Sequence, residues 1–420
     1  MKKTNLPDGW QYYDLGELLP YEQPTQYIVV STDYRDEYET PVLTAGKTFV
    51  IGHTNETDGI YTSFPAIIFD DFTTASQYVN FKFKVKSSAM KILKADKNVA
   101  LTKYLYYMMQ IIECEHSTHK RYWIQTYSKY QIPLPILSEQ ERIVAKLDEL
   151  FSELDKGVEA LKKAREQLKI YRQAVLKDAF EGKLTFEWRN TSTIPSPSIS
   201  QVDSAYIRDL PHIPSEWKYV LLNYLGDLGR GKSKHRPRND KALFEDGKYP
   251  FVQTGDIKAA NRYLTEFTTQ YNDFGLHQSK IWPVGTLCIT IAANIAETAF
   301  LGIDACFPDS IVGFKNYEDV ANAEYIEYFI QSAKIKLWAF APATAQKNIN
   351  LATLENIIVP LCSIQEQEQV VCEIETRLSI CDNLEILLEE TLTKSEGLRQ
   401  SILKKAFEGK LLQTGDQLNV

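Results

Sequence analysis

The sequence predicts an α+β protein: two pseudo-symmetric α/β domains separated by two long helices packed as an antiparallel coiled coil. Three observations predict it. Residues Pro133 to Leu184 align with Pro360 to Leu411 at a constant offset of 227, without a gap and with 19 identities in 52 positions. Both aligned segments carry apolar residues at seven-residue spacing, the pattern of a two-position helical seam. The stretches between them mix short apolar or alternating runs with longer amphipathic ones. The chain therefore reads as a tandem duplication of a globular domain followed by a long helix.

The boundaries follow from the repeat. Residues 1–131 form the first domain, 132–189 the first helical segment, 190–210 a linker, 211–356 the second domain and 357–420 the second helical segment. LPDGWQYYDLGEL around Trp10 corresponds to IPSEWKYVLLNYLGDL around Trp217, and AFEGKL at 179–184 recurs unchanged at 406–411. Pro41 to Lys47 can be laid on Pro250 to Asp256. The linker, NTSTIPSPSISQVDS at 190–204, is polar and broken by Pro195 and Pro197.

In the first helix Leu147, Leu154, Leu161, Leu168 and Val175 recur every seven residues, with Ile143, Leu150, Gly157, Ala164 and Tyr171 on the companion position. The second keeps Val370, Ile374, Leu384, Leu388, Leu398 and Ile402 at matching places. The predicted interface sets Ile143, Leu147, Leu150, Leu154, Leu161 and Leu168 against Val370, Ile374, Leu384 and Leu388, with small Gly157 and Ala164 permitting close approach. Ser138 with Glu141 forms a capping box, and Gly182 suits the stop. In the domains, Thr48–Gly52, Ala66–Phe69, Phe81–Lys86 and Leu287–Ile291 read as strands, and Ala100–Ile112 and Asn322–Phe340 as helices.

Bulk properties narrow the function. The chain has 420 residues and a net charge of −8, with no run of 18 apolar residues and no apolar core near its N-terminus, so a cytoplasmic protein without a membrane segment is expected. The six cysteines show no C-x-x-C pair, as expected for reduced thiols. Cys114, His116 and His119 lack a second ligand cluster, so no metal is expected. The charge is uneven: −1 over 1–137, −1 over 139–181, −2 over 190–360 and −5 over 361–420. The near-neutral domains leave local basic clusters able to face phosphates.

Two stretches imitate a nucleotide hydrolase. Gly226 to Ser233 fits G-x-x-x-x-G-K-[ST], and Ala66 to Asp71 reads AIIFDD, like a magnesium-holding strand. A phosphate loop must feed a helix, yet Pro237 lies five residues after Lys232 and breaks one. The carboxylate strand has no acidic equivalent in the second half. Arg230, Lys232, Lys234, His235, Arg236 and Arg238 read instead as a flexible basic loop against a polyanion.

The duplicated plan, the P-x-G-W and P-x-x-W domain starts, YPFVQTGDI at 249–257, the E-Q openings of both helices, ANIAETAFLGIDACFPDSIVGF at 293–314, AQKNIN at 345–350 and the repeated AFEGKL resemble the specificity subunit of type I restriction-modification systems. The resemblance spans the whole chain. It implies that each domain is a target recognition domain reading half of a split site in double-stranded DNA. It also implies that the helices act as a ruler and dock two modification subunits carrying adenine methyltransferase activity, with restriction subunits in the full complex. It implies no catalytic site and no cofactor in this chain, with S-adenosylmethionine expected in the modification subunit. TAGK in the first domain departs from TGDI in the second. Independently, the chain has no N-P-P-[YF] motif and no G-x-G-x-x-G fingerprint. The alternatives are a stand-alone methyltransferase or nuclease with unfamiliar motifs and a purely structural coiled coil.

Candidate DNA-contacting residues in the first domain are Lys47, Lys82, Lys84, Lys86, Lys120 and Arg121. Alternation in FKFKVK puts three lysines on one strand face, which serves either a polyanion or a lysine-guarded edge strand. In the second domain they are Arg230, Lys232, Lys234, Arg236 and Arg238, with Gln253, Gln346, Lys347 and Asn348. Glutamine and asparagine pair bidentately with adenine, whereas lysine and arginine serve phosphate or guanine. TGDI is read as a turn in which Asp256 is structural.

Overall fold

The computed structural model describes residues 6–113, 121–192, 195–292, 295–339 and 349–412. The chain divides into two compact units, one of residues 1–163 with 388–420 and one of residues 164–387. Two helices of 44 residues each, Leu137–Phe180 and Ile364–Phe407, each contribute one part to either unit.

In the first unit, four strands run in the order Tyr21–Glu22, Met90–Leu93, Ala66–Asp70, Ser76–Val79, all antiparallel. A second sheet places Thr40–Leu43 between Val50–Thr54 and Lys84–Val85, the last pair parallel. A third, two-stranded sheet joins Gln11–Asp14 to Gln131–Leu134 and delivers the chain into the first long helix. Ile67, Phe69, Tyr104, Leu105 and Met108 form the core with Ile143, Leu147 and Phe151 of the first long helix and Ile402, Leu403 and Phe407 of the second. Phe407 meets Tyr104 edge-on at 5.2 Å. Each such buried side chain stabilises the junction by roughly 1.5–3 kcal/mol, so the helix ends are part of the domain rather than a surface attachment.

The second unit repeats this plan with longer sheets. Five strands run in the order Gly226–Arg230, Ile311–Asn316, Leu287–Thr290, Thr298–Leu301, Tyr263–Leu264. A four-stranded sheet runs Thr269–Tyr271, Tyr249–Phe251, Ala305–Cys306, Ile281–Trp282. Lys218–Leu221 pairs with Ile358–Leu361 ahead of the second long helix, and the register is that of the first unit: Lys218 faces Leu361 as Gln11 faces Leu134. Val370, Ile374, Ala179 and Phe180 belong to this unit's core. Tyr325 donates to the Pro360 carbonyl at 2.6 Å and Tyr104 to the Pro133 carbonyl at 2.9 Å, so one anchor recurs in both copies. Burial raises both phenols well above their usual range.

The two long helices pair antiparallel. In the second unit Arg172 Nη2 bonds Asp382 Oδ1 at 2.6 Å, and in the first Arg399 bonds Asp155. These are the same pair of positions, related by the offset of 227, with the two helices exchanged. Several expectations for the seam need correction. Ile143, Leu147, Val370 and Ile374 are fully buried, but in the domain cores. Leu150 packs partly against the first of these cores, and Leu154, Leu161, Leu168 and Leu388 are half-buried. Leu384 is 44 % exposed, because Cys381, buried at 1 %, takes the inward place one helical turn earlier. A Cβ on Gly157 meets nothing within 4 Å, so close approach does not explain that glycine. The first helix starts at Leu137, so Ser138 lies inside it; in the second, Ser363 Oγ accepts from Glu366 N at 3.2 Å as an N-cap. Gly182 does end the first helix with φ +72°.

Candidate nucleic-acid interface

Gly226–Arg230, the start of the apparent phosphate loop, is a strand paired along its length with Ile311–Asn316, and residues 231–240 after it form no helix. AIIFDD is likewise structural. Asp70 Oδ1 accepts from Phe72 N and Thr73 N at 2.8 and 3.1 Å, closing a turn. Asp71 is buried, accepts from Trp123 N at 2.7 Å, and pairs with buried Lys91 at 3.4 Å, whose ammonium lies 4.2 Å over the Tyr21 ring. Among the described residues no group of three His, Cys, Asp or Glu side chains is placed to hold a metal. Cys114, His116 and His119 lie outside the described residues.

The basic loop of the second unit is braced, not flexible. Gly231 N donates to Ile311 O and Lys232 N to Phe307 O, at 2.9 and 3.1 Å. A side chain on Gly231 would strike the Phe307 and Pro308 carbonyls. Ser279 Oγ donates to Lys232 O at 2.8 Å, and Gln278 Oε1 accepts from the amides of Lys234 and His235. Arg236 Nη1 turns inward to the Ser233 and His235 carbonyls at 2.7 and 2.8 Å. Arg238 pairs with Asp309 at 2.6 Å, and Arg230 donates to the Asp309 carbonyl. His235 meets Asp240 at 2.7 Å, and that hydrogen bond holds the Asp240 carboxyl below its usual range.

Three of the loop's five predicted contact residues are thus engaged within the fold. Lys232 and Lys234 are exposed and have no side-chain partner among the described residues. Gln253 follows Val252, whose N donates to Cys306 O at 2.8 Å, while Lys232 N donates to the carbonyl of the next residue, Phe307, so both segments are held by the 306–307 backbone. TGDI opens a short helix, Thr254–Ala259, rather than a turn, and Asp256 Oδ2 accepts from Gln253 N at 2.8 Å in a structural role. The Gln253 amide reaches Thr269 Oγ1 at 3.4 Å and is otherwise exposed. Gln346, Lys347 and Asn348 lie outside the described residues.

In the first unit the three lysines of FKFKVK do not share an exposed face. Lys84 is buried, with Nζ 2.7 Å from Glu56 Oε2 and 2.7 Å from the Asp58 carbonyl, which removes it from any contact with DNA. Only Lys84–Val85 is strand, and both residues are buried. Lys82 is exposed and paired with Glu39 at 3.1 Å. Lys86 N donates to Leu43 O at 3.1 Å, which sets Lys86 beside the Thr44–Thr48 turn that carries Lys47. Both are exposed without a side-chain partner among the described residues. Arg121 is exposed ahead of the Tyr122–Gln125 helix, which Asp71 anchors; Lys120 lies outside the described residues.

Strand pairing makes the two edges equivalent. Val42 bridges Lys84 as Phe251 bridges Cys306, both parallel, so Val85 corresponds to Phe307 and Lys47 to Asp256. Val29 N donates to Val85 O at 2.9 Å as Lys232 N does to Phe307 O. The segment after Val29 therefore occupies the basic loop's place. Sequence reading missed it, because its single arginine, Arg35, carries no cluster signal and is paired with Asp33 and Glu37.

Comparison with known proteins places this geometry. A family model described as the type I restriction modification DNA specificity domain matches residues 7–163 and 214–395, one match for each half of the duplication. The chain belongs to the type I restriction-modification specificity family. It is 32 % identical over 412 residues to the EcoR124I/EcoR124II specificity subunit of Escherichia coli, covering 93 % of this chain and 91 % of that one. It is 27 % identical over 289 residues to the EcoBI specificity subunit of Escherichia coli, covering 67 % and 58 %. The HsdS subunit from Thermoanaerobacter tengcongensis shares the fold with a TM-score of 0.60 at 18 % identity, over 98 % of this chain and 99 % of that one. A chain from a solved type I R-M system, reported for its complex assembly and conformational transition, does so with a TM-score of 0.69 at 19 % identity, over 97 % and 100 %. The type I specificity fold thus accounts for the two domains and for the paired long helices alike.

Proposed function

We propose that this chain is the DNA-recognition subunit of a type I restriction-modification complex. Each globular domain reads one half of a bipartite site in double-stranded DNA, and the long helices set the spacer and dock two modification subunits. The chain itself carries no catalysis. S-adenosylmethionine chemistry belongs to the modification subunits, and restriction subunits complete the assembly, which works in the cytoplasm. The observation that carries this reading is the duplication of one family fold, each copy of which exposes lysines without a side-chain partner among the described residues next to the same pair of parallel strands: Lys47 and Lys86 in the first, Lys232 and Lys234, at non-corresponding positions, in the second. Lysines supply the salt-dependent phosphate term, and Gln253 offers an amide of the kind that reads adenine. Described cysteines 288, 306, 362 and 381 are buried free thiols, in keeping with a reducing compartment, and among the described residues no helix is long and apolar enough to cross a membrane.

The test is to sequence methylated bases in a host with and without the gene, the modification gene being present in both. The reading expects one bipartite motif that appears only with the gene. A motif that persists without it, or S-adenosylmethionine bound by this chain alone, would favour a stand-alone modification enzyme instead.

A further inference from the structure

Trp10 and Trp217 occupy the same place in the two copies, each immediately before a strand paired in the same register. Both are buried, at 6 % and 3 % exposure. Their hydrogen bonding differs. Trp217 Nε1 donates to Glu366 Oε2 at 2.9 Å, while Glu366 Oε1 accepts from Thr185 Oγ1 at 2.7 Å and Arg189 Nη1 at 2.6 Å. Arg189 also donates to the Gly182 carbonyl and lies 5.7 Å from the Trp217 ring. In the first copy Trp10 Nε1 is buried and has no hydrogen-bond partner among the described residues. Glu139, which aligns with Glu366, is half-exposed and has no side-chain partner among the described residues.

The sequence accounts for the difference. At the offset of 227, Thr185 aligns with Leu412 and Arg189 with Asp416, so the first copy has neither the hydroxyl nor the cation at these positions. A carboxylate enters a buried site only when paired and hydrogen-bonded. Glu366 meets that condition; Glu139 does not, stays toward water, and leaves the indole N–H without an acceptor. The surrounding frame is nevertheless kept. Gly409 has φ +73° and packs against Pro7 as Gly182, with φ +72°, packs against Pro214.

The geometry points to a guanidinium seat at Trp10 and Glu139, filled in the second copy by the chain's own Arg189 and filled in the first by an arginine of a modification subunit. This rests on the proposed function, under which such subunits assemble on the chain. Arginine fits better than lysine, because in the filled copy one planar group donates both to a carboxylate and to a backbone carbonyl while lying against an indole. With the cation supplied, Glu139 can turn inward and accept from Trp10 Nε1. Among the described residues only the first copy leaves this indole N–H without a partner, so the contact serves only one of two docked modification subunits.

The experiment uses the full chain with its purified modification subunit. Indole ¹⁵N resonances are recorded, that of Trp10 being assigned with Trp10→Phe, and subunit affinity is titrated for wild type, Glu139→Gln and Glu139→Arg. The expected result is a shift of the Trp10 indole resonance on adding the modification subunit to wild type, abolished in Glu139→Arg. One binding step should weaken about tenfold or more in Glu139→Arg and less in Glu139→Gln, with the melting temperature of the free chains unchanged. Wild-type resonance shifts and affinities in both variants would overturn the seat. A Trp10 shift that depends on chain concentration alone and is lost in Glu139→Arg would assign the seat to a second copy, and would overturn it as a modification-subunit site. Failure of the wild-type assembly to form, or to methylate any bipartite site, would instead sink the functional reading on which the inference rests.

Discussion

Gln140 and Gln367, 227 positions apart, make the same three hydrogen bonds in the two halves of the molecule. Gln140 Oε1 accepts from Leu101 N at 2.8 Å, and its amide donates to the Pro135 and Val99 carbonyls at 2.8 and 3.3 Å. Gln367 Oε1 accepts from Asn322 N at 2.8 Å, and its amide donates to the Cys362 and Val320 carbonyls at 2.9 and 3.0 Å. Both side chains are fully buried. Each ties the first turn of a long helix to the backbone entering a domain helix, so these residues set how the recognition domain is mounted. Replacing either with Leu leaves an amide and two carbonyls unsatisfied, which should cost about 2–4 kcal/mol of unfolding free energy. Glutamate should also fail, since a carboxylate cannot donate to the two carbonyls. Urea unfolding of each variant checks this, and a loss below about 0.5 kcal/mol, the usual range for surface changes, would contradict it.

Lys84 is expected to behave as a core residue. Lys84→Ala strands Glu56, which also accepts from Val30 N and Ser31 N at 2.9 and 2.8 Å. The change should cost about 3 kcal/mol of stability. Lys86→Ala should leave stability within about 0.5 kcal/mol and lower DNA affinity and its salt slope by roughly one phosphate contact. Thermal melts and salt-dependent binding of the assembled complex separate the two.

The contrast between these lysines marks where sequence reading ran out. The duplication and the long helices were legible because 19 identities and a seven-residue period are local signals that survive without any tertiary information. The burial of Lys84 was not, because it depends on parallel pairing with Val42 and on a carboxylate 28 positions upstream. In the basic loop, composition marked the charges correctly, but whether an exposed arginine is already bonded within the fold was decided by Ser233 O, His235 O and Asp309, partners that no spacing rule identifies. Leu384 fell out of the seam for a related reason: the partner helix and the domain together choose the inward face, and they chose Cys381.

The same bonding divides the second domain's cations into two classes. Lys232→Ala and Lys234→Ala should each reduce the salt slope of DNA binding by roughly one, with melting temperature unchanged. Arg236→Ala removes two bonds to loop carbonyls and should weaken DNA binding by disordering the loop, visible as faster amide exchange of Lys234 and His235. Unchanged exchange in Arg236→Ala would show that the guanidinium does not hold the loop.

Glu327 makes the second unit's stability depend on pH. Burial pushes its carboxyl up to about 7, against the pull of Arg262, whose Nε lies 3.0 Å from Oε2 and whose Nη1 also bonds Glu375. Thr298 Oγ1 faces Oε1 at 3.4 Å, and Glu324 adds like charge nearby. The folded-state value is raised, so between the ordinary carboxylate range near 4.5 and about 7 the native protein binds more protons than the unfolded one. Stability contributed by this group is therefore present below that window and is lost as pH rises through it. Glu327→Gln should flatten the fall in unfolding free energy between pH 5 and pH 8 (roughly the window set by the linkage relation). An identical slope in variant and wild type would contradict the assignment.

The central claim is that the two domains read separate halves of one DNA site. It is tested most directly by exchanging residues 1–131 for the matching domain of another specificity subunit, then sequencing every methylated adenine in the host genome. The account predicts a new bipartite motif in which one half is replaced and the other half, read by the second domain, stays as it was. A motif in which both halves change, or in which neither does, would contradict it.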